Sequence, residues 1–244
     1  MTGAFLCDII LYIILFVEDY KIVDVIAHIR TDFPEKFGIP RQSGIVEELK
    51  GYIEFEPMYR NPDAVKGLLG YEYIWLLWKF DDVERQGFNA TVKPPRLGGN
   101  THMGVFATRS PYRPNPIGLS SVKLEDIRMT ENGPVICVSG IDLKDNTAIF
   151  DIKPYLPYTD SHPDARAGFA DDVIEYHLDV VFPDEMLSLY PEDKREAVVR
   201  LLSQDPRPSY HSDEDRRYGV SFAGYDVHFT VSDGVLTVFE MKKL

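Results

Sequence analysis

Alternation of apolar and polar positions, rather than helical spacing, dominates the first two thirds of this chain. Residues 20–30 alternate like a strand, and residues 45–55 read as another with Gly51 as a bulge or kink. Asn61-Pro62-Asp63 places a capping residue before a first-turn proline, which predicts a helix start running to Leu69. Residues 71–80, YEYIWLLWKF, are almost continuously apolar and rich in β-formers, so they are expected to form a central buried strand. Further strand-like runs fall at 104–108, 119–127, 135–143 and 148–152. Short strands with turn residues between them favour a barrel or sandwich over βαβ units.

The pattern changes after Tyr158. Residues 159–172 read as a linker, 173–182 as a strand and 183–203 as the best helix in the chain. A polar loop follows, and then strands at 225–231 and 235–241 joined by Ser-Asp-Gly, a hairpin signal. The expected fold is therefore mainly β: a β-barrel domain over 21–158 and a small α+β C-terminal domain over 173–244. Residues 1–20 form an apolar extension whose run at 5–17 is broken by Asp8. That run falls short of the roughly 20 residues that cross a bilayer, and no Lys or Arg precedes it. It reads as a buried strand or an over-called translation start, and no membrane association is expected.

Charge is distributed unevenly. Residues 85–123 contain six Lys or Arg, while all 39 Asp and Glu of a chain with formal net charge −13 lie elsewhere. This stretch is also rich in Gly and Pro, and in Thr108-Arg-Ser-Pro-Tyr-Arg-Pro-Asn-Pro116 the prolines hold Arg109, Ser110, Arg113 and Asn115 at low conformational cost. A rigid, positive, acid-free segment suits an anionic or carboxylate-bearing ligand. The same residues could equally form a rigid loop whose arginines bind nearby carbonyls. Two cysteines without metal-ligand spacing suit a reducing cytoplasm, and six scattered His give no metal site. Neither a Rossmann glycine fingerprint nor a P-loop is present. Asp151 and Lys153 lie on one face of an extended chain and could simply pair, and Asp142 and Asp145 read as turn residues.

Four motifs taken together, G-I-P-R-Q (38–42), P-P-R-L-G-G-N (94–100), M-G-V-F-A-T-R-S-P-Y-R-P-N-P-I-G-L-S (103–120) and D-I-K-P-Y-L-P (151–157), resemble the TsaA/YaeB-type family, the tRNA (adenine-37) methyltransferases called TrmO. Q-D-P-R-P-S-Y (204–210) and Y-D-V-H-F (225–229) resemble the small C-terminal domain of its longer members. The resemblance implies a β-barrel methyltransferase that uses S-adenosyl-L-methionine without a Rossmann fold. It implies a cytoplasmic homodimer whose substrate is tRNA carrying threonylcarbamoyl-adenosine beside the anticodon.

By motif position, the resemblance assigns Pro40, Arg41, Gln42, Asp81, Asp82, Arg109, Leu119, Asp145, Asn146, Thr147 and Ala148 to the cofactor. It assigns Arg113, Asn115, Lys153, Asp205, Arg207, Pro208 and Tyr210 to the substrate, with Asp151 or Tyr155 as proton acceptor. Two departures stand out: Asp81-Asp82 where relatives often carry His and a polar residue, and Asp145-Asn-Thr-Ala148 in place of Asp-Gly-Thr-Pro. Two other readings keep parts of this picture. One is a methyltransferase acting on another RNA site or a small molecule; the other is a non-catalytic anion- or nucleotide-binding module.

Overall fold

The structure, a computed structural model, describes residues 23–80, 88–94, 101–173, 177–207 and 216–244. The N-terminal extension at 1–20 lies outside the described residues. The first part of the chain forms β1 (Ala27–Thr31), β2 (Lys50–Phe55), β3 (Tyr73–Lys79), the short pair β4 (Thr91–Val92) and β5 (Met103–Gly104), then β6 (Ile117–Thr130), β7 (Gly133–Ser139) and β8 (Thr147–Pro154). Six of these strands close into a barrel in the order β1-β2-β7-β6-β3-β8. Every neighbouring pair is antiparallel.

Alternation drives the closure. Ile29, Ile53, Ile74, Leu76, Val122, Ile136, Val138 and Ile149 turn inward and are at most 1% exposed. Burying each such side chain contributes about 1.5–3 kcal/mol, and a closed barrel leaves no free strand edge. Because all pairs are antiparallel, β1, β3 and β7 run one way and the other three return. The connections 32–49, 80–116 and 140–146 therefore leave from the same end of the barrel. This end is the rim that carries Pro40, Arg41, Gln42, Arg109, Arg113, Asn115 and the turn at 145–146.

Several local expectations change. The run at 104–108 is a 3-10 turn (Val105–Ala107) rather than a strand, because Val105 is buried while its neighbours face outward. Gly51 sits in regular register between Thr31 and Val138 and makes no bulge. A Cβ there would stand 2.8 Å from the Ile29 side chain, so close packing inside the barrel requires the glycine. Asn61 does cap, accepting from the Asp63 N–H at 3.0 Å, but the helix is a 3-10 turn of four residues (Pro62–Val65).

After β8 come α1 (Pro157–Asp160) and a 3-10 segment (Gly168–Val173), then β9 (Asp179–Val181), α2 (Asp184–Leu187), α3 (Glu192–Ser203), β10 (Tyr218–Phe222), β11 (Tyr225–Ser232) and β12 (Val235–Lys243). The helix expected over 183–203 is divided at Pro191, which lacks an N–H and instead caps α3. β10 takes the last two residues of the expected polar loop and three that no expected strand covers. Its neighbours Asp213 to Arg217 are all charged, which masks the short buried run Val220 to Phe222.

Strands β10-β11-β12-β9 form a second sheet, with β9 parallel to β12. Against it α3 buries Ala197, Val198, Leu201 and Leu202. This unit also grips the barrel connection 32–49. Lys194 pairs with Asp32, Ser221 Oγ donates to Glu35 at 2.7 Å, and Arg200 meets Glu48 at 3.2 Å. The Ala223 N–H donates to the Asp32 carbonyl at 3.0 Å. The segment that carries Pro40, Arg41 and Gln42 thus begins between two packed sheets. Among the described residues, no helix is long and apolar enough to cross a membrane.

Candidate active site

At the rim, Trp78 is the penultimate residue of β3, with its indole turned over Gly118 on β6, its register partner. A Cβ at position 118 would fall 2.2 Å from the ring, so only glycine admits the indole. The Trp78 Nε1–H donates to Ser120 Oγ at 2.9 Å, and the Ser120 hydroxyl donates to Asp142 Oδ1 at 2.6 Å. The Ser43 backbone N–H and the Asp142 N–H also donate to this carboxylate, and the Arg109 charge acts on it. Burial is nevertheless the strongest influence and pushes the Asp142 carboxyl up to about 6. Gln42 is tied to the same assembly: its side-chain carbonyl accepts from the Arg109 guanidinium, and its amide donates to the Arg41 carbonyl.

One network therefore joins five chain segments that are distant in sequence. It brings together Gln42 and Arg109, two residues expected in one site, and beside them an expected turn residue, Asp142. Arg41 and Arg109 are exposed and Pro40 is buried. The Arg109 guanidinium beside a desolvated carboxylate, with exposed Arg41 next to Gln42, forms a zwitterionic cradle suited to a ligand that carries both a carboxylate and a positive centre.

The 145–148 turn lies on the same rim, where β7 returns to β8. Asp145 accepts from the Thr31 N–H at 2.9 Å, and Asn146 accepts from Arg30 at 2.9 Å. Asn146 has φ 63°, the left-handed region where asparagine is the best substitute for the glycine of the family pattern. The Thr147 hydroxyl donates to the Lys144 carbonyl at 2.8 Å, and Ala148 is buried. Arg113 donates to the Thr108 carbonyl at 3.1 Å, which folds the Pro-rich loop on itself, and Asn115 stands exposed.

A second group lies on the outer barrel wall. Leu119, Leu77 and Asp151 occupy one cross-strand row on β6, β3 and β8. Lys153 pairs with Asp151 at 2.8 Å, and Tyr155 packs against Trp75 and Tyr73 with ring centroids 5.5 and 6.2 Å away. The Trp75 indole N–H donates to Asp160 at 2.9 Å, which locks α1 under this aromatic group. Near the end of α3, Arg207 forms a two-point ion pair with Asp205 at 2.8 and 2.9 Å. Asp81, Asp82, Pro208 and Tyr210 lie outside the described residues. Among the described residues, no cluster of His, Cys, Asp and Glu could hold a metal ion.

Sequence reasoning missed Asp142. Its signal was Ser120, a polar residue in the inward row Gly118, Ser120, Val122, Leu124 and only 1% exposed. A hydroxyl in an apolar row asks for a partner.

Comparison with known proteins identifies the family of the chain. The family model for the tRNA-methyltransferase O N-terminal domain matches residues 28–161, and that for the TrmO C-terminal domain matches 175–244. The tRNA (adenine(37)-N6)-methyltransferase of Escherichia coli K12 is 39% identical over 222 residues, which cover 88% of this chain and 94% of the relative. A protein of the same name from Eikenella corrodens is 43% identical over 169 residues, 69% of this chain and 95% of the relative. A crystal structure of TrmO from Pseudomonas aeruginosa superposes with TM-score 0.74 at 34% identity, covering 91% of this chain and 97% of that one. The barrel, its loop-bearing rim and both family domains lead to one conclusion: this chain belongs to the tRNA-methyltransferase O family.

Proposed function

We propose that this protein transfers a methyl group from S-adenosyl-L-methionine to the exocyclic 6-amino nitrogen of adenosine 37 in tRNA. The observation that carries the reading is the rim cradle, in which Arg109 is bonded to Gln42 beside the Asp142 carboxylate. Its donor set fits the cofactor. Arg41 and Arg109 suit the cofactor's carboxylate, and the oxygens of Gln42 and Asp142 suit its positive centres. When bound, S-adenosylmethionine supplies an electrophilic methyl group on a sulfonium.

The chain's task is then alignment and charge placement. Pro40 and the Gln42–Arg109 bond fix the guanidinium groups, while the 145–148 turn and Leu119 complete the cofactor site. On the substrate side, Arg113, Asn115 and Lys153 face the base and its phosphates. With threonylcarbamoyl-adenosine as acceptor, the reacting nitrogen belongs to a urea and must shed a proton. Asp151 or Tyr155 takes that proton, and Lys153, 2.8 Å from Asp151, holds that carboxylate in place. Asp205, Arg207, Pro208 and Tyr210 serve the tRNA from the C-terminal unit, so that residues 21–158 act in catalysis and 173–244 in RNA binding.

We read the active form as a cytoplasmic homodimer. The rim residues and the Leu119–Asp151–Tyr155 group occupy different surfaces of one subunit, and a second copy would bring such surfaces together. Ile117 and Leu119, 42% and 52% exposed, offer that copy an apolar face. Light scattering on the purified protein gives its mass in solution, and a monomer at working concentration would count against this arrangement.

The net charge of −13 favours, as a second reading, an acceptor other than tRNA with the same cofactor cradle. Nucleoside mass spectrometry of total tRNA from a deletion strain separates the two. Loss of methylated threonylcarbamoyl-adenosine is the expected result; an unchanged level would refute the tRNA assignment. Arg109→Ala is expected to reduce methyl transfer by roughly 100-fold with its melting temperature nearly unchanged, because Arg109 is exposed. Full activity in that variant would remove Arg109 from the site.

A further inference from the structure

In the methyl-transfer reading the Asp142 carboxylate faces the cofactor's positive centres, but its bonds to separate chain segments give it a further role. It is bonded to the Ser43 N–H on the 32–49 connection and to Ser120 on β6, and it faces Arg109 on the 80–116 connection. Those two connections supply the two arms of the cradle, Arg41–Gln42 and Arg109. We propose that Asp142 is the positioning residue that holds these arms in one arrangement, so that its protonation state sets affinity for S-adenosylmethionine. The proposal rests on the rim being the cofactor site.

The chemistry follows from the contacts. Ionised, Asp142 accepts from Ser43, its own N–H and Ser120 while attracting Arg109. Protonated, it loses the charge that attracts Arg109, and one of its oxygens becomes a donor facing groups that are themselves donors. The Ser43 turn and the Arg109 loop then lose their common anchor. Burial has already brought the group to about 6, so this change falls within an accessible pH range. The groups that face it are Ser120 from β6, the Ser43 N–H from the 32–49 connection and Arg109 from the 80–116 connection, with Trp78 of β3 one bond further through Ser120. Of these only Arg109 carries a charge, and it does not titrate in this range. The cofactor's own α-amino and carboxyl groups also keep their charges between pH 5 and 7.

Calorimetry of the full-length protein with S-adenosylmethionine, and with its demethylated product S-adenosylhomocysteine, tests this between pH 5 and 7. Wild-type affinity is expected to fall by roughly tenfold from pH 7 to pH 5. Asp142→Asn is expected to bind about tenfold more weakly at pH 7 with a flat profile, near-ultraviolet circular dichroism verifying its fold. Ser120→Ala keeps the carboxylate but removes a hydroxyl that favours its charged form, so the midpoint should move to higher pH. A ligand-free readout exists as well. In Trp75→Phe protein Trp78 is the single indole, and its fluorescence should titrate with Asp142 intact and stay constant once Asp142→Asn is added. Tight binding with the same pH profile in wild type and Asp142→Asn would overturn the positioning role and leave the cofactor reading standing. A wild-type protein that binds neither ligand would overturn both.

Discussion

Asp142 on the barrel rim and Glu240 on the second sheet are both carboxylates with close partners, yet their acidities move in opposite directions. Asp142 is withdrawn from water, and burial raises its carboxyl in spite of the Ser120 and backbone bonds. Glu240 stays 44% exposed and accepts from Lys242 at 2.9 Å and His228 at 2.7 Å, which lower it. His228 is raised in turn, first by its bond to Asp226 at 2.8 Å and then, against burial, by Glu240. The difference teaches what each cluster is for. A surface cluster satisfied by charges on both sides tightens its sheet, whereas a carboxylate held against its own solvation costs stability and calls for a functional reason.

The largest test of that contrast is the stability of Asp142→Asn across pH. The folded-state value near 6 lies above the unfolded value of 3.8, so the contribution is fully present below about pH 4 and is lost as pH rises to 6. Relative to wild type, the variant should gain roughly 3 kcal/mol between pH 4 and pH 8, as read from urea unfolding. A difference that does not vary with pH would mean that burial does not control Asp142. Next in size, Ser120→Ala leaves the Trp78 indole N–H without its acceptor and should cost about 1–3 kcal/mol at pH 7, measured by the same unfolding curves. No loss would show that the indole finds another partner.

The smallest effect is expected at His228→Gln. The imidazolium's contribution is fully present below the unfolded value of 6.5 and disappears as pH rises through the raised folded value. The lowered Glu240 contributes above 4.5, and its part is lost as pH falls further. The thermal shift between wild type and variant should therefore peak between these limits and fall away as pH rises through the raised His228 value. A shift that persists at pH 9 would show that His228 acts through packing rather than charge.

How far the sequence carried these conclusions differs between the fold and the site. The barrel strands were legible because a closed antiparallel sheet imposes period two on its residues, and β1, β2, β3 and the first half of β6 follow it, while β7 and β8 read as strands from their apolar runs. Local chemistry also read correctly where a few neighbouring residues decide it. Asn61 caps its turn, the Ser-Asp-Gly hairpin joins β11 to β12, and Asp151 pairs with Lys153. Val105 to Ala107 and the Pro191 break were misread because burial of one neighbour and a missing N–H outweighed β-propensity and helical spacing there.

By itself, the chain determined its mainly β character, the basic acid-free stretch on which Arg109 lies and the motifs that point to its family. These are properties of residues close together, fixed by side-chain periodicity, charge and the restricted angles of proline. Only the tertiary structure decided that three separated connections meet at one end of the barrel, and that the unit bearing α3 grips one of them. Only it could turn Asp142 from an ordinary turn residue into the buried post of the cradle. A carboxylate's acidity depends on the water it has lost and on the donors that other strands bring to it, and the linear order of residues contains neither.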